Sequence, residues 1–530
     1  MSLEHEKIAL PDLDDDENDL LDHLLVQLEQ KKSRNLLRAA YYDGKHAARL
    51  VGSVIPPQYQ RLGIVLGWSA KAVDVLARRC TLETFVWPDG DLGSLGLSEV
   101  WDDNFLQAES NSAIVASLIH AVSFLVNTQG ADGEPKGLIH VKDALNATGD
   151  WNGRTRRLDN LLSITERDAE GRPKALALYL DGVTVTAERD GGRWYSERTT
   201  HPWGVPAEPL PYKPRVGRPF GSSRISRPVM AMHDAALRTV VRLEGHSDVY
   251  SMPDMILLGA DESVFKNPDG SPKPVWQALL GRIKGIPDDD EAANPRAQVQ
   301  QIQAVSPQPH LDALKQQAML FSGETSIPLT SLGVSDMSNP TSADSYVASR
   351  EDLIAEAEGA TDDWSPAFRR TMMRALAMAN DLKEIPAEWR TIDTKWRSPV
   401  YLSRAAVADA GMKVLTAAPW LAQTSIGLEL LGLDEQQIRR AEADRRRAAV
   451  SELTARLTAA PQAAASEGSA DKDAADALRA KFEALGVAIR AGVKPEDAAA
   501  RLGMAGLEFT GAVPTTLRLP ESEADKLEQA

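Results

Sequence analysis

The strongest constraint on the fold is a long helical pattern that stands between two segments of different character. It reads "SRPVMAMHDAALRTVVRLEGHSDVYSMPD" and spans residues 226–254. Ser226 can cap its start, Pro228 suits the first turn because no intrahelical N–H partner is needed there, and Gly245 can end it. The pattern predicts one helix of about twenty residues, roughly 30 Å long.

One side of this helix carries a narrow apolar stripe. Its members follow spacings of 3, 4, 4 and 3 and are Val229, Met232, Ala236, Val240 and Leu243. A second helix, in "PHLDALKQQAMLFSGE", has its own stripe with spacings of 3, 4 and 3, formed by Leu311, Leu314, Ala318 and Phe321. Because an apolar stripe needs a surface to cover it, we expect these two helices to form a stalk.

The segment between the two striped helices predicts a small α/β module. "DMILLGAD" and "QIQAVS" have the composition of strands, and "PVWQALLGRIKG" has that of a short helix. The acidic loop "IPDDDEAANP" follows this helix.

The N-terminal part is predicted to be mainly helical, with helices over 17–50 and 57–80. The run "AIVASLIHAVSFLV" at 113–126 is too short to cross a bilayer, so it predicts a buried helix. From about residue 160 the pattern changes to short β-rich runs, "KALALYL", "GVTVTAE" and "RWYSE". Asp181-Gly182 between the first two is a hairpin dipeptide, so we expect a small antiparallel sheet.

The prolines and glycines of 201–221 predict an extended connector rather than a regular element. Further along, the pattern predicts a helix over 342–382 that is kinked at Pro366. More helices are expected at 403–417 and 434–459, and two short ones within 477–504.

The charge balance limits the classes of partner. The chain has 59 basic and 76 acidic side chains, for a formal net charge of −17. This sign disfavours a protein that holds nucleic acid tightly, but it suits a surface past which DNA moves without being gripped. The acidic N-terminus lacks the features of a secretory signal, and the single cysteine, Cys80, fits a reducing compartment such as the cytoplasm.

The usual motifs of catalysis are absent from the sequence, which predicts no catalytic residue, no cofactor site and no metal site. Two alternatives stay open at this point. The acidic clusters Asp14–Glu17 and Asp288–Glu291 could serve a metal-dependent nuclease or terminase-like enzyme. The two short helices within 477–504 could form a helix-turn-helix DNA-binding unit, although the second of them has only one arginine and two acidic residues.

Three segments, in this order, resemble the portal proteins of tailed double-stranded DNA phages that infect Gram-positive hosts. They are "GRPFGSSRISRPVMAMHDAALRT" leading into "MPDMILLGAD", then "FSGETSIPLTSLGVSDMSNPTSADSYVASREDLIAEAE", and finally "LGVAIRAGVKPEDAAARLGM" with "FTGAVP". The likeness covers about residues 30 to 520. It implies an α+β, mainly helical portal fold with wing, stem, clip and crown regions.

The resemblance also divides the chain into regions. These are an N-terminal wing with the small sheet (1–224), a first stem helix (225–248), an α/β clip (249–308), a second stem helix (309–328), a tunnel loop (329–341), a long kinked helix with the return to the wing (342–430), and a helical crown with the C-terminal tail (431–530).

The function that the resemblance implies is that of a non-enzymatic conduit. A homo-oligomeric ring of twelve subunits sits at one vertex of the capsid, and double-stranded DNA is packaged and ejected through it. The implied partners are the major capsid protein, the large terminase subunit and a head-tail connector or adaptor protein, with no membrane. The implied location is the virion, and the host cytoplasm during assembly.

The resemblance assigns roles to three sets of residues. Ser331, Asp336, Met337 and Asn339 would face DNA in the tunnel loop. Asp288, Asp289, Asp290 and Glu291 would form the docking surface of the clip. The stripe residues Val229, Met232, Ala236, Val240, Leu243, Leu311, Leu314 and Phe321 would pack the stem.

Overall fold

The computed structural model shows an α+β, mainly helical fold, which confirms the predicted class. It describes residues 8–45, 64–250, 255–258, 269–271, 283–286, 298–301, 305–333, 350–401, 404–459, 480–486, 488 and 494–504. The helices are α1 (Asp15–Tyr42), α2 (Trp68–Ala77), α3 (Leu97–Asp103), α4 (Leu106–His120), α5 (Arg227–Tyr250), α6 (Gln308–Thr325), α7 (Glu351–Ala379), α8 (Arg404–Ala417), α9 (Ser425–Leu430), α10 (Glu435–Ala459) and α11 (Pro495–Arg501).

Strands are concentrated in the N-terminal part. They are β1 (Leu82–Val86), β2 (Val122–Gln129), β3 (Gly137–Asp143), β4 (Ala147–Asn152), β5 (Arg157–Arg167), β6 (Pro173–Leu180), β7 (Val183–Asp190), β8 (Arg193–Thr200), β9 (Ala207–Pro211), β10 (Met255–Leu258), β11 (Ile283–Ile286), β12 (Gln298–Gln301) and β13 (Asp393–Trp396). The chain separates into two compact units, Met1–Tyr401 and Leu402–Ala530.

The predicted antiparallel sheet is present and larger than expected. Its strand order is β4-β5-β6-β7-β8, and the three predicted runs are β6, β7 and β8. Gly182 adopts a left-handed φ of 71° between β6 and β7, as a tight hairpin turn requires. The two additional strands belong to the same meander.

The first helix, α1, packs against this sheet. Asp14 forms a capping box with Glu17 at its start. Its leucines at one face join buried residues of β5, β6 and β7 in an apolar cluster; they are Leu21, Leu24, Leu25 and Leu28. The predicted helix over 17–50 ends at Tyr42, and 46–50 lie outside the described residues. Of the predicted helix over 57–80, residues 57–63 lie outside the described residues and 64–67 are not helical, so the helix is present only as α2, which ends at Ala77.

The prediction of one buried helix over 113–126 was wrong. Helix α4 ends at His120, Ala121 takes a left-handed φ of 86°, and β2 begins at Val122. The whole run is apolar because both elements are buried, so its composition could not distinguish a helix from a strand. The β-branched and aromatic residues of "VSFLV" favoured the strand.

The connector predicted over 201–221 contains a strand as well. Strand β9 pairs antiparallel with β2 at one edge of the sheet β3-β2-β9. Its prolines, Pro209 and Pro211, are compatible with a strand because an edge position leaves one backbone side without ladder hydrogen bonds.

The long helix α7 lies in the core of the Met1–Tyr401 unit. Its apolar face, which includes Trp364, Phe368 and Met372, joins α2, α4 and the β2–β3 hairpin in the largest buried cluster of the described residues. Arg374 and Arg370 reach Glu208 on β9, with N–O distances of 2.7 Å in both pairs. The helix continues through Pro366, where a kink remains a prediction, and 342–349 lie outside the described residues.

The module between the striped helices contains a three-stranded sheet of order β11-β10-β12. Strand β10 lies within the first predicted strand, whereas β12 precedes the second predicted strand, "QIQAVS", and shares only Gln301 with it. Residues 302–304 of that prediction lie outside the described residues. The prediction of a helix in "PVWQALLGRIKG" is wrong at its end, since Ile283–Ile286 pairs in parallel with β10, and residues 274–282 lie outside the described residues. The β-branched Ile283 and Ile286 favour this pairing over a helical end.

The second unit is helical where it is described. Helices α8 and α10 match the helices predicted at 403–417 and 434–459. Helix α11 falls where the second of the two short C-terminal helices was expected, and the tail 505–530 lies outside the described residues.

Candidate functional site

The two striped helices, α5 and α6, pack against each other as an antiparallel pair. Gln317 donates a hydrogen bond of 2.9 Å to Thr239 near the middle of the pair. At the end next to the α/β module, the rings of His246 and His310 lie 5.1 Å apart, and His246 Nε2 is 2.9 Å from the carbonyl oxygen of Val305. We call α5 and α6 the stem pair.

At the opposite end, the stem pair is buried against α2 in one apolar cluster. This cluster contains Trp68, Ala72, Val229, Ala236, Ala318, Phe321, Ile327 and Leu332, with Met232 and Leu314 packed on it. The rings of Trp68 and Phe321 lie 5.3 Å apart. Five of the eight predicted stem residues therefore meet here, and their packing role in a ring stays a prediction.

The other three predicted stem residues are less buried in the single subunit. Val240 and Leu243 are half-buried, and Leu311 is 42% exposed. The structure instead buries Leu237 and Val241, which the predicted stripe did not include. A stripe chosen by single spacings of 3 and 4 follows one line on the helix, whereas the buried face is wider because α5 contacts more than one element.

Polar contacts also hold α5 to the N-terminal helices. Ser69 on α2 lies 2.9 Å from Nδ1 of His233. The hydroxyl of Tyr41 on α1 donates to the carboxylate of Asp234, at 3.0 and 2.9 Å from its two oxygens. Burial and the hydrogen bond to Asp234 raise the pKa of Tyr41, so the hydroxyl stays a donor.

A buried arginine joins the ends of both stem helices to the rest of the unit. Arg224, three residues before α5, is 6% exposed. Its Nη2 donates to the carbonyl of Thr325, the last residue of α6, at 2.6 Å, and its Nε donates to the carbonyl of Ala72 on α2. Its Nη1 contacts the Tyr212 hydroxyl at 2.9 Å and Oε2 of Glu356 on α7 at 2.6 Å.

Glu356 completes what we call the Arg224 network, formed by Arg224, Glu356, Tyr212 and Lys213. The Tyr212 hydroxyl and the Lys213 ammonium both donate to Glu356 Oε1, the former at 2.6 Å. Burial alone would raise the pKa of Glu356, but the charge of Arg224 and these hydrogen bonds outweigh burial and hold the pKa below its ordinary value of 4.5. The carboxylate is therefore ionised at neutral pH and fixes the arginine.

The depressed pKa predicts a pH dependence of stability. A carboxyl whose pKa is lower in the folded chain contributes stability that is fully present above its unfolded value and is lost as the pH falls through the folded value. We expect the free energy of unfolding of the wild type to fall more steeply below about pH 4.5 than that of Glu356→Gln. Urea unfolding from pH 7 to about pH 3 measures this, and equal losses in both proteins would contradict it.

The predicted tunnel loop is described only at its start. Ser331 lies in a short 3₁₀ turn, Leu329–Leu332, and its carbonyl accepts a hydrogen bond of 2.6 Å from Lys71 of α2. Asp336, Met337 and Asn339 lie outside the described residues, as do Asp288, Asp289, Asp290 and Glu291 of the predicted docking surface. The roles of all these residues stay predictions.

In the part of the chain that the structure describes, no group of three or more histidine, cysteine, aspartate or glutamate side chains could hold a metal ion. None of the described helices has both the length and the apolar character that a membrane crossing requires. The single thiol, Cys80, is buried, and burial raises its pKa to about 12.

Known proteins with similar sequences agree on one family. Residues 21–450 match the model of the family described as "Phage portal protein, SPP1 Gp6-like". The portal protein of Mycobacterium phage D29 is 25% identical over 404 residues, which cover 74% of this chain and 81% of that protein. The portal protein of Mycobacterium phage L5 is 25% identical over 385 residues, covering 71% and 77%.

A solved structure, "Neck of native GTA particle computed with C12 symmetry", covers 69% of this chain and 89% of its own, at 14% identity and a TM-score of 0.35. The family assignment rests on the sequence match over residues 21–450, which includes most of α1, the five-stranded sheet, the stem pair and α7. This chain belongs to the phage portal protein family.

Proposed function

We propose that the chain forms a closed ring at one capsid vertex, through which double-stranded DNA is packaged and later ejected. The observation that carries this proposal is the stem pair, which brackets the α/β module and is anchored at its other end by the Arg224 network and the Trp68–Phe321 cluster. An arrangement of this kind makes a subunit with a rigid rod between two docking regions. Residues 249–308 would then be the clip, where the large terminase subunit and afterwards the head-tail connector dock.

The surface of the stem pair supports assembly into a ring. Leu311, Met319 and Leu320 on α6 are 42%, 37% and 63% exposed in the single subunit. A neighbouring subunit in a closed ring would cover such side chains. Each subunit of such a ring would make the same contacts with the subunit on either side. The wing, residues 1–224, would contact the major capsid protein.

The mechanism we propose is physical rather than enzymatic. The net charge of −17 disfavours strong phosphate contacts, so DNA could slide through the channel without being held. The energy for packaging would come from the ATPase activity of the terminase. Assembly would take place in the host cytoplasm, and the ring would stay in the virion.

The mass of the native assembly tests the proposal. A ring of twelve subunits of 57.6 kDa has a mass of about 690 kDa. We expect light scattering to give this value and negative-stain images to show rings with a central channel. A monomer or dimer at every salt and protein concentration would refute the proposal.

A single substitution on α6 provides a second test. Leu320→Glu places a charge where we expect a subunit contact, and burying an unpaired charge is costly. We predict that the assembly falls from about 690 kDa to the 57.6 kDa subunit, while circular dichroism and the unfolding midpoint of the subunit stay unchanged.

The matched control is Val216→Glu, which changes a fully exposed valine in a wing turn. It should leave the ring intact, because Val216 lies in the turn between Arg215 and Arg218, outside the stem pair. Rings of unchanged mass in Leu320→Glu would exclude this face of α6 from the interface.

A further inference from the structure

A cavity of about 230 Å³ in the N-terminal unit is lined by cations. Lys31, Arg34 and Arg38 follow one another at spacings of 3 and 4, so they lie on one face of α1 and border the cavity together. Arg218, in the turn after β9, lines it as well. None of the residues that line this cavity is acidic, in a chain whose acidic side chains outnumber the basic ones.

Two buried nitrogens of residues that line the cavity have no hydrogen-bond partner among the described residues. His120, at the end of α4, is 7% exposed, and its Nδ1 has no hydrogen-bond partner among the described residues. The Nε of Arg38 is buried without a partner there too, while its Nη1 donates to the carbonyl of His120 at 3.2 Å and lies 3.4 Å from Asn35 Oδ1. A buried polar atom without a partner is unfavourable, and both atoms belong to side chains that line the cavity.

Three carboxylates act on the cations of the cavity, and each accepts hydrogen bonds from residues outside the cavity lining. Asp150 accepts hydrogen bonds from Gln27 and Asn160, at 3.1 and 3.0 Å, and Asp143 accepts from the backbone N–H of Leu145 and from Asn146. Asp43, near the end of α1, accepts from Lys45 at 2.8 Å.

These carboxylates offset the unfavourable surroundings of Lys31 and His120 only in part, because the pKa of both groups remains lowered. Burial, together with the charges of Arg34 and Arg218, lowers the pKa of Arg38 to about 10. Burial and the charge of Arg34 likewise lower the pKa of Lys31, and burial lowers that of His120. An anion in the cavity would reverse this effect, because it favours the protonated form of each neighbour.

We propose that this cavity is a binding site for one small phosphate-type oxyanion. The volume is below the roughly 300–1,000 Å³ of pockets that enclose drug-sized ligands, so it suits a single phosphate group rather than a nucleotide. Guanidinium groups bind such an anion with paired, charge-assisted hydrogen bonds. A DNA duplex offers the same chemistry but is far wider than the cavity, so the ligand is a free anion. The site does not depend on the proposed channel function.

Isothermal titration of the full-length protein with inorganic phosphate, in a phosphate-free buffer, tests the proposal. Arg34→Ala and Arg218→Ala remove exposed side chains and leave the buried core intact. We expect saturable binding in the wild type and a dissociation constant raised about tenfold or more in each variant, since each removes a charge-assisted contact. Arg157→Ala, at the exposed start of β5, is the matched control and should bind phosphate like the wild type.

Thermal unfolding gives an independent readout, because a ligand that binds only the folded chain raises the melting temperature. Phosphate should raise it in the wild type and in Arg157→Ala, and should raise it less in Arg34→Ala and Arg218→Ala. Binding that is absent, or equal in all four proteins, would overturn the proposal. Displacement of the phosphate by a short DNA duplex would overturn the assignment of a free anion.

Discussion

Arg224→Ala is expected to lower the free energy of unfolding of the Met1–Tyr401 unit by about 3–5 kcal/mol. The substitution leaves Glu356 buried without its arginine. The carbonyls of Ala72 and Thr325 also lose the hydrogen bonds that Arg224 donates to them. Removing one partner of a buried ion pair costs this much because the other charge remains in a medium of low polarity. Urea unfolding followed by tryptophan fluorescence measures it, since ten of the eleven tryptophans lie in this unit.

Two further variants make the Arg224 test specific. Arg227→Ala removes an exposed arginine three residues further along and should change stability by about 0.5 kcal/mol or less. Arg224→Lys keeps the charge but cannot present three donor groups in a plane, so it should recover only part of the loss. A loss below about 1 kcal/mol in Arg224→Ala, or equal losses in Arg224→Ala and Arg227→Ala, would show that the network does not anchor the stem pair.

The elements that could be predicted from the sequence are those with a local pattern. The stem helices have caps and periodic stripes, and the hairpin of β6 and β7 has the Asp181-Gly182 dipeptide, so each is specified by its own residues. Strand β9 and the junction of α4 with β2 have no such pattern. Strand β9 forms because it pairs with β2. The junction resembles one apolar helix because the residues before and after it, 113–120 and 122–126, are mostly buried.

The residues of the candidate site also divide into those with a local sequence pattern and those without one. The stripes include Val229 and Phe321, which meet in one buried cluster, because a periodic apolar pattern can be recognised without knowledge of the partner. Arg224 went unrecognised, since its partners are distributed over residues 72, 212, 325 and 356 and no spacing in the sequence joins them. The cationic cavity had a visible pattern, the spacing of Lys31, Arg34 and Arg38 on one helix face. Only the fold shows that this face is partly enclosed.

Phe321→Ala is expected to lower the free energy of unfolding of the same unit by about 3–5 kcal/mol. Phe321 on α6 is fully buried against α2 and α5, so its removal leaves a cavity that the ring of Trp68 and the residues around it cannot fill without moving. Phe321→Leu should lose about half as much stability or less, because it retains most of the apolar volume.

The matched control is Glu324→Ala, at an exposed position on the same helix, and its free energy of unfolding should stay within about 0.5 kcal/mol of the wild type. The same urea unfolding experiment compares the three variants. A loss in Phe321→Ala no larger than that in Glu324→Ala would mean that the contact between α2 and the stem pair contributes little to stability, and the stem would then need neighbouring subunits to hold it in place.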